Sequence, residues 1–137
     1  MPETFGEFLA DSLAAIEREA PACARAIAAA LGPAVIELVV DGERIAIRPG
    51  PEIAVGRAAE AAPCAEVATT ARALLALLDG GDELYPAIVD NRVRVRAAPR
   101  DAERLFDTMR WFVEGCARTR AAPELLAAYR GRVDANV

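Results

Sequence analysis

Between Cys64 and Cys116 the sequence changes its hydrophobic period several times, and that alternation constrains the fold more than any other feature of the chain. Ala65 to Thr70 reads as a short strand. From Thr70 onward Ala71, Leu74, Leu75, Leu77 and Leu78 share one broad face of a 3.6-residue helix, with Thr70 as side-chain cap and Gly80-Gly81 as the stop. Asp82 to Val89 contains Pro86, which a helix accepts only in its first turn, so a brief turn or helix presenting Leu84 and Ile88 is expected. Asp90-Asn91 then turns the chain into Arg92 to Ala97, where Val93, Val95 and Ala97 alternate with Arg92, Arg94 and Arg96. That is a period of two, with one face buried and the other charged. After Pro99 a long helix opens near Asp101, and Leu105, Phe106, Met109, Phe112, Val113 and Cys116 fall within a band of about 120°. Arg110 and Trp111 lie off that band. These regular parts read as built to surround an apolar space.

The first half reads as two helices followed by three strands. Phe5, Phe8, Leu9, Ser12, Leu13 and Ile16 lie on one side of a helix over about Thr4 to Glu19. A second helix follows with Pro21 in its first turn and Cys23, Ile27 and Leu31 on its face, and Gly32-Pro33 ends it. Val35 to Val40, Asp41-Gly42 and Glu43 to Arg48 form a hairpin whose two-residue turn suits the positive φ angles of type I′. Pro49-Gly50-Pro51 is a second turn into a third strand, Glu52 to Arg57, so the early sheet is a meander. Ala58 to Pro63 is an alanine-rich connection, and Pro123 to Arg130 is a last helical segment with Leu125, Leu126 and Tyr129.

Composition narrows the function classes. The 137 residues include 32 alanines and 16 arginines, but no histidine, lysine or glutamine, and Ser12 is the sole serine. A chain of this length buries roughly 68% of its unfolded surface and fits one domain. That domain is read as 1–137, with N-terminal helices over 4–31, a sheet and helix core over 34–117 and a C-terminal segment over 123–131. The formal charge of −5 argues against nucleic acid, which needs a basic face to release counterions. Three cysteines without C-x-x-C spacing fit reduced thiols, Cys64 and Cys116 being expected inert and buried. With no basic leader and no apolar run of about 20 residues, the expected location is the cytoplasm, and the Ala and Arg bias suggests a bacterial source. Without histidine there is no Ser-His-Asp triad or imidazole base, and without lysine no P-loop or Schiff base. An Asp or Glu acting in an apolar pocket is the enzyme reading left, and no spacing nominates one.

The run CAEVATTARALLALLDGGDELYPAIVDNRVRVRAAPRDAERLFDTM, preceded by VIELVVDGERIAIRPG, resembles the sterol carrier protein 2 family, the SCP2-like lipid-binding domain. Both share a strand running into a Leu-rich helix, a Gly-containing loop, a short apolar turn, a basic-apolar alternating strand and a closing helix. The resemblance spans about Phe5 to Cys116. Three positions depart from it: Asn91 stands where the family has Gly before the basic strand, Ala98-Pro99-Arg100-Asp101 where it has Gly-Asp, and Ala71-Arg72-Ala73 where acidic residues open the Leu-rich helix. The resemblance implies an α+β domain with a five-stranded, mostly antiparallel sheet, helices packed on one face and an apolar tunnel between the layers. It further implies non-catalytic binding or transfer of a fatty acid, acyl chain, sterol-like or isoprenoid lipid, with no cofactor or metal.

The candidate tunnel wall is Leu74, Leu75, Leu78, Leu84, Ile88, Val93, Val95, Leu105, Met109 and Phe112. The same residues would equally fill a solid core, which is what an interaction module with no ligand would have. Arg92, Arg94 and Arg96 either hold an oxyanion headgroup or form a solvated sheet face. Trp111 either marks a membrane-surface or dimer contact or packs under the C-terminal segment. Tyr85 and Tyr129 are either cavity anchors or ordinary surface and core residues. A homodimer through a sheet edge or the C-terminal segment is compatible with the pattern.

Overall fold

The turn at Asp41-Gly42 organises the molecule. Both residues have positive φ, 50° and 86°, the conformation that a two-residue hairpin turn needs and that Gly42 adopts without a Cβ clash. In the computed structural model, which describes residues 4–50, 52–57, 63–81 and 83–135, this turn joins β1 (Ile36–Val40) to β2 (Glu43–Arg48). β3 (Ala54–Arg57) continues the meander, starting two residues later than the alternation of Ile53 and Val55 suggests. Pro51, most of the alanine-rich connection and Asp82 lie outside the described residues.

β4 (Ala65–Thr69) pairs parallel to β1, with Leu38 opposite Val67, and β5 (Val93–Ala97) pairs antiparallel to β4. The order is β3-β2-β1-β4-β5, a mixed sheet with three antiparallel pairs and one parallel pair. The register places Leu38, Ile45, Val67 and Val95 in one row, and a one-residue slip would turn each of them to the other face. The opposite face carries Glu37, Arg44, Glu66, Arg94 and Arg96 and is the charged one. There Arg44 donates to Glu37 at 2.7 Å, and Arg96 lies 3.9 Å from Glu66.

Among the described residues six helices complete the fold: α1 (Phe5–Glu19), α2 (Pro21–Leu31), α3 (Ala71–Leu78), α4 (Leu84–Val89), α5 (Pro99–Ala117) and α6 (Ala121–Ala135). α5 opens at Pro99, two residues before the expected start, because proline's fixed φ suits the first helical position, where its missing N–H is not needed. α6 runs past Arg130 to Ala135 and begins before Pro123. Asn91, with φ of 61°, takes the left-handed turn before β5.

Three helices start on carboxylates supplied from elsewhere in the chain. The Glu43 carboxylate accepts from the Phe5 and Gly6 amides, both at 3.1 Å, while Thr4 Oγ1 accepts from the Glu7 amide. Asp41 Oδ2 accepts from the Ala71 amide at 3.0 Å, and Thr70 Oγ1 accepts from the Ala73 amide. Glu19 accepts from the Arg120 and Ala121 amides at the start of α6. Each cap satisfies donors that the helix leaves unpaired and contributes about 1 kcal/mol. The consequence is positional: one hairpin turn, through Asp41 and Glu43, fixes where both α1 and α3 enter.

Two kinds of packing hold the layers. Ile16, Cys23 and Ile27 are buried at the meeting of α1, α2 and α5, with Trp111, Phe112 and Cys116 against them. Gly115 permits that approach, since a Cβ there would come within 2.9 Å of Ile16 Cδ1. On the other side of α1, Phe8 stacks on Tyr129 of α6 with ring centroids 5.2 Å apart, and Phe5 lies 5.9 Å from both rings. An Arg130–Asp79 ion pair ties α6 to the end of α3.

Candidate apolar ligand site

The inward row of the sheet and the helices above it enclose a slot of about 100 Å³. Its floor is Ile36 and Leu38 of β1, Ile47 of β2, Val67 of β4 and Val93 of β5. Its roof comes from Phe5, Leu9 and Leu13 of α1, Leu74, Leu77 and Leu78 of α3, and Leu105, Met109 and Phe112 of α5. The capped entries of α1 and α3 at the hairpin turn therefore set the spacing of roof and floor.

Among the described residues no polar atom faces this space. Two side chains in the wall carry a hydroxyl, Thr69 and Thr108, and both use it on the backbone. Thr69 Oγ1 donates to the Arg92 carbonyl at 2.8 Å, and Thr108 Oγ1 donates to the Arg104 carbonyl at 2.6 Å. Among the described residues no Asp, Glu or Arg side chain lines the slot, so none of them places there the carboxylate in an apolar pocket that an enzyme reading requires. A lining of this kind can exclude water and hold hydrocarbon.

Of the ten candidate wall residues, Leu74, Leu78, Val93, Leu105, Met109 and Phe112 line the slot. The other four sit elsewhere. Leu75 points into the cluster around Phe5, Phe8 and Tyr129, while Leu84, Ile88 and Val95 pack around the buried Ala87 and Leu105. The wall residues that sequence reasoning did not place there come mainly from α1, α2 and the early strands. Their apolar periodicity is plain in the sequence, but a periodic face does not name its partner. Ile27 of α2 and Ile53, just before β3, reach the slot only through tertiary packing.

The remaining candidates have definite positions. Arg94 and Arg96 lie on the sheet face opposite the slot, because Val93 and Val95 take the inner one, so neither can reach a ligand held inside. Trp111 is half-buried against α2 rather than under α6, with the Arg110 guanidinium 5.7 Å from its ring. Tyr129 is a core residue, and Tyr85 is 78% exposed. The expectation of two buried cysteines is met in part by Cys116, which is half-buried with burial pushing its thiol up to about 11. It is corrected for Cys64, which is exposed. Cys64 precedes β4, where its amide bonds the Val35 carbonyl and its side chain stands outside the sheet. Among the described residues no group of three or more Cys, Asp or Glu side chains is placed to hold a metal, and no helix is long and apolar enough to cross a membrane.

No family model and no curated protein sequence matches the chain. Solved structures do. The solution structure of sterol carrier protein domain 2 of Helicoverpa armigera aligns with a TM-score of 0.61 at 14% identity, covering 83% of this chain and 93% of that one. A UbiJ-SCP2 ubiquinone synthesis protein aligns with a TM-score of 0.58 at 17% identity, covering 74% and 84%. Sterol carrier protein 2 from Yarrowia lipolytica in its apo form gives 0.57 at 11% identity, covering 84% and 89%. At these identities the likeness is one of architecture: the chain has the SCP2-like fold.

Proposed function

We propose that this protein binds an apolar molecule between its sheet and its helices, as a carrier or presenter of a fatty acyl, sterol-like or isoprenoid lipid, without chemical turnover. The observation that carries this reading is the slot whose lining, among the described residues, has no polar atom. A packed core has few voids larger than a water molecule, and a void of this volume costs about 2 kcal/mol at 24 cal/mol per Å³. Retaining such a space is understandable if a ligand fills it, because each methylene moved from water into it contributes about 0.8 kcal/mol. The structurally similar sterol carrier domains and the UbiJ-SCP2 protein support a lipid as the occupant, and the absence of histidine and lysine supports the non-catalytic reading.

In this reading Leu74, Leu78, Val93, Leu105, Met109 and Phe112 contact the ligand, and Leu75, Leu84, Ile88 and Val95 back them. The slot is smaller than the roughly 300–1,000 Å³ typical of ligand pockets, so binding opens it further. Leu74, Leu77, Leu78, Met109 and Phe112 are only half-buried and leave room for rotamer changes, and methionine adapts readily to irregular contacts. The protein acts in the bacterial cytoplasm.

Native mass spectrometry of protein purified from cells, followed by solvent extraction, tests the proposal. The expected result is an apolar molecule that remains bound through purification and is released by solvent. Recovery of nothing, together with no binding of a fluorescent lipid probe by the extracted protein, would overturn it.

A further inference from the structure

The slot has a neighbour. Leu13, Ile27 and Ile53 line it, and the same three side chains also line a surface groove of about 400 Å³ bounded by α1, α2 and the start of β3. One layer of apolar side chains thus separates the two spaces. Ile27 is 2% exposed, while Leu13 and Ile53 are only half-buried and belong to the cluster that contains Trp111. Groove and slot together reach the size range of small-molecule sites, which the slot alone does not.

The two spaces differ in chemistry. The slot is wholly apolar, whereas the groove carries Glu17 of α1, Arg25 of α2 and Glu52 on its rim. None of these three side chains forms an ion pair or a hydrogen bond among the described residues, although Arg44 with Glu37 and Arg118 with Glu114 show that surface charges elsewhere are paired. An apolar chamber joined to a chamber edged with unpaired polar groups matches the shape of an amphiphile.

We propose that the groove holds the head of an amphiphilic ligand whose chain passes between Leu13, Ile27 and Ile53 into the slot, and that this head is uncharged and hydroxyl-bearing, as in a monoacylglycerol. The proposal rests on the apolar-ligand reading above and names the class of ligand. Two carboxylates and one guanidinium give the groove a formal charge of −1, which opposes a free fatty acid carboxylate. Hydroxyl groups suit the same residues: they donate to Glu17 and Glu52, and an ester or hydroxyl oxygen accepts from Arg25.

The test compares laurate with 1-monolauroylglycerol by isothermal titration at low salt and a pH where laurate is ionised. Emission of Trp111, the sole tryptophan, serves as a second readout beside Ile27. The wild-type protein is expected to bind the monoacylglycerol more tightly. In the Glu17→Gln, Glu52→Gln double variant, whose substitutions are exposed and leave the fold intact, laurate affinity rises about two- to fivefold, the size of a screened surface charge effect, and the preference disappears. Ile53→Trp, placed to fill the gap between groove and slot, loses binding of both ligands while circular dichroism stays that of the wild type; if that variant does not fold, the charge variants still decide. If both ligands bind but laurate binds equally well or better, or the double variant changes nothing, the groove assignment is overturned and lipid binding in the slot stands. If neither ligand binds the wild type, the apolar-ligand reading itself falls, and this inference with it.

Discussion

The seam where α2 and α5 meet Ile16 and the slot beneath α1, α3 and α5 are built from the same kinds of residue and packed in opposite ways. At the seam, Ile16 is fully buried and Gly115 lets the helices approach so closely that a single added carbon would meet three Ile16 atoms at 2.9 to 3.1 Å. In the slot, leucines, isoleucines, Met109 and Phe112 face one another across about 100 Å³ of unfilled space. Apolarity alone therefore does not distinguish a rigid joint from a binding chamber. What distinguishes them is how near the backbones come, and that is set by small residues at the seam and by carboxylate caps at the entries of α1 and α3.

Enlarging a side chain in each region should give opposite results, and the seam should give the larger one. Gly115→Leu is expected to destabilise the protein by about 3 kcal/mol, at the upper end for overpacking, because its first added carbon already crowds three atoms of the fully buried Ile16. Urea denaturation measures it, and an unchanged midpoint would show that the seam is loose. Val67→Ile, in the floor of the slot, is expected to stabilise by about 0.8 kcal/mol, as one more methylene leaves water and fills space, while alkyl ligands bind more weakly. A fall in the melting temperature instead would mean that the slot is no true void, and the contrast between the regions would collapse.

A further test concerns α1, which serves both regions and is held from outside by Tyr129. Burial, with the Glu43 and Asp41 carboxylates adding to it, pushes the Tyr129 phenol up to about 12. In the unfolded chain a tyrosine ionises near pH 10, so the folded state favours the protonated phenol. Its contribution is complete below about pH 10 and is lost as the pH rises from there through about 12. Urea midpoints across that range should fall for the wild type and fall less for Tyr129→Phe, which keeps the ring contacts with Phe5 and Phe8. Equal slopes would remove Tyr129 as the group that couples α6 to alkaline stability.

Much of the architecture was legible because it rests on local rules. Asp41-Gly42 announces a hairpin by its tolerance of positive φ, Thr70 and Gly80-Gly81 bracket α3, and the alternation in β5 separates its inner valines from its outer arginines. α6 was less legible: its alanine-rich sequence with Gly131 has weak periodicity, and it is held along its length by Tyr129 and Arg130 against distant partners. The α3 and α5 side of the slot could be read because both helices carry dense apolar bands. The α1, α2 and β1–β2 side could not, since nothing local says that Leu9, Ile27 and Leu38 face the same space.

By itself the sequence determined the elements, their order and the inner and outer faces of each strand, because backbone conformation and side-chain alternation are set within a few residues. It also determined the scarcity of catalytic side chains, with no histidine or lysine anywhere in the chain. Only the tertiary structure decided that Gly115 closes one helical contact while the slot beside it stays open, that the threonine hydroxyls turn away from it, and that Leu13, Ile27 and Ile53 border a second space. Those outcomes depend on how far apart packed backbones come to rest, a distance summed over many contacts that no local pattern carries.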